Sequence, residues 1–170
     1  MSNIKAEVWL RGPLPQYPAL LQPVAHALLQ AREELAELMI GFPEDLLFER
    51  LSGLASPAFH LQHLTGVLDR LFTYARQETL TDVQLLYLKK EKDWDKDLSI
   101  EKLVAQFDLQ VDTALLQLAK TAINELTEIR WVGRDKIPST LIGIYTHAAE
   151  HTMRHIGQLL VTVKVLKGKR

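Results

Sequence analysis

The sequence predicts an all-α chain: a four-helix bundle with a short additional helix between helices 2 and 3. Three observations predict it. Apolar residues recur at intervals of three and four in four long segments, the period of a helix with one buried stripe. The segments begin at capping residues or end at Gly and Pro. No pair of convincing alternating strands and no βαβ pattern interrupts them, and striped helices bury their stripes against one another. With 170 residues, 47% of them hydrophobic, the chain can bury a sizeable core, and one domain is expected over 1–170.

The first helix is expected from about Pro15 to Ile40, with a stripe of Leu21, Val24, Ala25, Leu28, Ala31, Leu35 and Leu38. Pro23 lies near its start, where proline is best tolerated, and Gly41-Phe42-Pro43 ends it. The second starts at Ser56, an N-cap, with Pro57 at the first helical position, and runs to about Arg76. His60, Leu64, Val67, Leu71 and Tyr74 form its seam, with His63 alongside. Thr81, with Gln84 three residues on, is a capping box for the short helix DVQLLYLKKEKDW. Its charged end, KKEKDWDKD, reads as a solvated turn.

Ser99 caps the next long helix, IEKLVAQFDLQVDTALLQLAKTAI. Its stripe is Leu103, Phe107, Leu109 or Val111, Ala114, Leu118 and Ile123. Glu128 to Pro138 reads as a loop or short extended piece. The last helix runs from about Ser139 to Leu166 and stops at Gly168. Trp9, Trp94 and Trp131 all fall in or near loops, where they cap the bundle or line a pocket.

Composition narrows the function. The net charge is -1, so no basic excess points to nucleic acid or an anionic membrane. There are no cysteines, which excludes disulfides, thiolate zinc sites and a cysteine nucleophile. The first residues lack a signal peptide's apolar run, and no window has the ~20 apolar residues of a membrane span. A cysteine-free chain of this kind is expected in the cytoplasm.

Chemistry concentrates in HAAEHTMRHIGQ, His147 to Gln158, which holds three of the six histidines. The last helix's stripe reads Leu141, Ile144, Ala148, His151, His155, Leu159, Val163 and Leu166. His151 and His155 therefore fall in the seam one turn apart, and His147 drifts to one side, because each step of four turns ~40°. Two imidazoles at i, i+4 can share one metal ion, and a third from a facing helix would complete a three-histidine site with open positions. His60 and His63 of the second helix can both reach the bundle interior, and periodicity does not choose between them. The plainer reading is that core histidines are merely hydrogen-bonded. Several together are harder to bury, since each needs partners and any that protonate repel.

Two stretches, FHLQHLTGVLDRLFTYAR (59–76) and EHTMRHIGQLL (150–160), resemble the DinB-like superfamily. The resemblance spans nearly the whole chain in helix order. It implies a four-helix bundle with one metal-binding histidine on the second helix and an H-x-x-x-H pair on the last, ending in His-x-Gly-Gln. His155-Ile156-Gly157-Gln158 matches that ending, and His151 takes the earlier position. His63, followed by Leu64, is the better match for the third ligand, with His60 the alternative. His147 then lies outside the triad, as an interior or rim histidine or a proton shuttle at the mouth of the site.

Members with an assigned activity use small thiols, as bacillithiol S-transferases and mycothiol-dependent maleylpyruvate isomerases do. The resemblance thus implies a divalent metal, zinc or nickel first and iron or cobalt next, since imidazole suits all four. It also implies a low-molecular-weight thiol as cosubstrate, and dimers are frequent among such bundles. Such an ion would lower the pKa of a bound thiol or water. Arg70 is expected either to steer an anionic substrate or to form a salt bridge with a carboxylate, such as Glu150, that ties two helices together. Gln158 is expected to hydrogen-bond backbone or a ligand histidine. A metal-dependent hydrolase and a non-catalytic metal- or ligand-binding bundle are the alternatives.

Overall fold

The computed structural model describes residues 5–93, 95 and 97–169. The expectation for Trp94 lies outside them. Five helices follow in order: α1 (Gln22–Met39), α2 (Pro57–Ala75), α3 (Asp82–Lys90), α4 (Ile100–Lys120) and α5 (Leu141–Gly168). A hairpin of β1 (Ile129–Val132) and β2 (Ile137–Thr140) precedes α5. The chain is mostly helical, broadly as an all-α bundle, and the two-stranded hairpin keeps it from being a clean four-helix bundle.

The cap signals act where the sequence put them. Ser56 Oγ accepts the Phe59 N–H at 3.2 Å. Thr81 and Gln84 form a reciprocal capping box, and Ser99 Oγ accepts the Lys102 N–H at 3.3 Å. α1 starts later than the apolar pattern suggested, after a 3-10 turn at Ala19–Leu21. Pro23 explains this: without an N–H it cannot bond back to residue 19, so it belongs in the first turn.

α5 packs against α1 and α2, and α4 packs against the same two, so α1 and α2 occupy opposite corners. One core joins all four through Leu28 and Leu35, Leu64 and Leu68, Phe107 and Leu118, and Ala148 and Leu159. In α4 the stripe passes through Val111, which is buried, whereas Leu109 is exposed and Ile123 lies beyond the helix.

α5 corrects the sequence reading more sharply. Thr152 (0% exposed) and Ile156 (2%) hold the centre of its buried face, and His151 and His155 are half-buried on its flank. The polar Thr152 hid the centre of the stripe. The flank bearing the histidines faces α2, where His63 and His60 lie.

The hairpin pairs Ile129 with Thr140 and Val132 with Ile137. Four-residue strands with Pro138 in one of them leave too little alternation to read from sequence. Gly133 (φ +73°) opens the turn in the left-handed region. The hairpin anchors α2: Arg130, 4% exposed, donates from Nε to the Ala75 carbonyl at 2.9 Å, an otherwise orphaned helix-end acceptor. It also leads into α5, where Thr140 Oγ1 accepts the Gly143 N–H at 3.1 Å. Among the described residues, no helix is long and apolar enough to cross a membrane.

Candidate metal centre

Ring nitrogens of His63, His151 and His155 all lie within 4.8 Å of one another. The helix spacing produces this. His151 and His155 stand one turn apart on α5, ring centroids 4.7 Å apart. His63 projects from α2 with its ring 4.5 Å from His155 and 5.4 Å from His151. His63 Nε2 and His151 Nε2 face each other at 3.1 Å. Two lone pairs at that separation repel, so the contact needs a shared proton or a cation between the rings. Nitrogens bound to one metal at ~2.0–2.1 Å with tetrahedral angles would stand about 3.4 Å apart. The pair is close to that spacing, and three neutral imidazoles with half-buried access fit a divalent ion.

Burial disfavours the charged form of the two rings on α5. Burial pushes the His155 pKa down to about 3, helped by the charges His63, His151 and His60 would carry. Burial first, then His63, also lowers His151. Metal ligation needs unprotonated imidazole, so the same burial that disfavours the cation favours an ion.

His60 stands apart from the three. It is 4% exposed, and its Nδ1 meets His155 Nδ1 at 3.0 Å. Burial, then His63, lowers its pKa to about 4. It therefore contacts the ring of His155 from behind. His147 is exposed, its ring 5.3 Å from that of His151 and its Nδ1 3.8 Å from Glu150 Oε2.

Two sequence expectations are corrected. Arg70 does not pair with Glu150; it is buried and donates from Nη1 to Glu91 Oε1 at 2.6 Å. Glu150 pairs instead with Arg154, one turn on along α5. Gln158 is exposed and, among the described residues, its side chain bonds no histidine of the cluster. Trp9 and Trp131 stay largely exposed, each lining an outer cavity.

Three residues escaped the sequence reading. Glu91, just past α3, is 3% exposed, and its Oε2 lies 2.8 Å from His63 Nδ1. Its run, KKEKDWDKD, reads as a solvated turn. Phe59 stacks on His63, centroids 5.2 Å apart and planes 11° from parallel. Gly66 leaves the space that Glu91 fills: a Cβ there would stand 2.4 Å from Glu91 Oε1. The one signal for Glu91 was the run Gln84, Tyr87, Glu91 at helical spacing, and it is polar.

A family model described as the DinB superfamily matches residues 27–159. A crystal structure of a Streptococcus pneumoniae protein superposes with a TM-score of 0.65 at 15% identity, covering 89% of this chain and 92% of that one. An uncharacterised protein from Clostridium difficile 630 does so with a TM-score of 0.65 at 13% identity, covering 89% and 97%. At such identities the likeness is one of fold. No curated protein matches.

Proposed function

The chain belongs to the DinB superfamily, and on that premise we propose that it is a metal-dependent enzyme joining a small thiol to an electrophilic substrate. The observation that carries this is the convergence of half-buried His63, His151 and His155, with burial lowering the pKa of His151 and His155. Three neutral ligands leave a divalent ion its full charge, and such an ion acidifies a thiol in an open position toward neutrality. The chain has no cysteine, so the sulfur nucleophile must come from a cosubstrate.

The protein's own residues supply the frame. α5 fixes two imidazoles one turn apart, and α2 brings the third across the helix pair. Phe59 shields one face of His63, and His60 sets the ring plane of His155. Half-burial on the α2–α5 flank leaves a side from which small molecules can enter.

Elemental analysis of protein purified without an affinity tag tests the first half. About one divalent metal per chain is expected, and little in His151→Ala. The second half is tested by mixing metal-loaded protein with several low-molecular-weight thiols and monochlorobimane. Adduct formation should exceed that of a His63→Ala control. Metal without thiol consumption would leave a binding module, and protein that takes up no metal would remove the site altogether.

A further inference from the structure

We infer that Glu91 is the positioning residue of this centre, fixing the tautomer of His63 so that Nε2 carries its lone pair toward His151 and His155. The carboxylate of Glu91 only accepts hydrogen bonds. With Oε2 at 2.8 Å from His63 Nδ1, that nitrogen must carry the ring hydrogen. A neutral imidazole has one N–H, so Nε2 is left as the free donor atom, and Nε2 is the atom that faces His151 at 3.1 Å.

The carboxylate is itself held. Arg70 donates to its other oxygen at 2.6 Å from within α2. Gly66, one turn before Arg70 on the same helix, leaves the room: an added Cβ would stand 2.4 Å from Oε1, 2.6 Å from Arg70 Nη1 and 2.8 Å from Tyr87 Cε1. Gln62 Nε2 donates to the Glu91 carbonyl at 3.1 Å, which fixes the backbone that delivers the side chain. So Gln62, Gly66 and Arg70 of α2 form a seat for one acid, and that acid bonds His63 of the same helix. A carboxylate behind a ligating histidine fixes its ring and raises its basicity. The ligand role of His63 rests on the function proposed above; the tautomer does not.

Glu91→Gln makes a directional prediction. Arg70, which only donates, will claim the amide oxygen. The amide NH₂ then faces His63 Nδ1 and can only donate to it. His63 must take the Nε2–H tautomer, which aims a hydrogen at the centre. The shape of the side chain is nearly unchanged, so a purely structural role for Glu91 would leave the tautomer alone.

The experiment is long-range ¹H–¹⁵N correlation spectroscopy of the imidazoles in chelator-treated protein, well above the ordinary histidine pKa. The wild-type protein should show His63 as Nδ1–H, and Glu91→Gln should show it as Nε2–H. Zinc affinity, measured by competition with a chromophoric chelator, should fall by about 10–100-fold in Glu91→Gln. Wild-type His63 found as Nε2–H overturns the inference without any variant. So does a Glu91→Gln protein that keeps the Nδ1–H tautomer, or one that binds zinc as tightly as wild type. If wild-type protein binds none of zinc, nickel, iron and cobalt, the proposed function fails, and the tautomer measurement still decides the role of Glu91.

Discussion

Removing Arg70 should destabilise the protein far more than removing an ordinary surface ion pair. The side chains of Arg70 and Glu91 are 9% and 3% exposed and lie 2.6 Å apart. Arg70→Met keeps much of the apolar stem but leaves Glu91 buried with His63 as its one remaining side-chain donor among the described residues. Breaking a buried pair from one side typically costs ~3–5 kcal/mol, because the surviving charge has lost its compensation. For a chain of this size, that is a fall in melting temperature of roughly 6–20 °C. Replacing both partners by apolar residues removes the stranded charge. The double variant Arg70→Met/Glu91→Leu should therefore be more stable than Arg70→Met alone, with a coupling energy of at least ~2 kcal/mol. Urea unfolding of the four proteins of the cycle, in chelator so that no ion contributes, measures this. The reasoning is refuted if Arg70→Met costs under ~1 kcal/mol, the range of exposed pairs. It is equally refuted if the two single effects simply add.

Gly66→Ala should run against helix propensity. An exposed helical site would gain ~1 kcal/mol, whereas the crowding against Glu91 should turn that into a net loss of up to about 2 kcal/mol; a raised urea midpoint would show the seat is not tight. The metal-free protein should lose stability in mild acid. Burial holds His60 at about 4 and His155 at about 3, below their unfolded values, so the unfolded chain takes up protons first. The stabilising effect is complete above ~6.5 and is lost as pH falls from there toward the folded values, by at most ~1.4 kcal/mol per pH unit for buried His60 and less for half-exposed His155. Urea midpoints that are equal at about pH 7.5 and about pH 5 would contradict this. Ser56→Ala, which deletes the cap on the Phe59 N–H, should cost ~1 kcal/mol in the same assay, and a null effect would mean that α2 draws nothing from its cap.

The helices were legible because their signals are local. Ser56-Pro57, Thr81 with Gln84, and Ser99 announce starts through side chains that bond N–H groups two or three residues on, and Pro23 limits a helix by its own missing hydrogen. The i, i+4 spacing of His151 and His155 is equally local. What crossed between elements was harder to read. The hairpin is too short to show its period, and Arg130 reveals its use only when folded against the end of α2. Glu91 sits in a charge run whose neighbours are solvated. Only the fold, with Gly66 opposite, distinguishes it from them. The salt bridge of Arg70 was legible in kind but not in partner: Glu150 shares a short sequence stretch with the histidines, and Glu91 shares the space.

α3 has no buried residue of its own. It meets the bundle through Gln84 on Asp69 and Thr73, Tyr87 on the Gln62 carbonyl, and Glu91 just beyond its end. Contacts of that kind carry little of the heat-capacity change that apolar burial brings. The attachment of α3 should thus depend on temperature differently from the core. Hydrophobic packing weakens on cooling, whereas the desolvation penalty of a buried ion pair falls on warming. Glu91 is carried by this segment and held by a buried ion pair, so the seating of the carboxylate behind His63 should persist on warming rather than follow the apolar core.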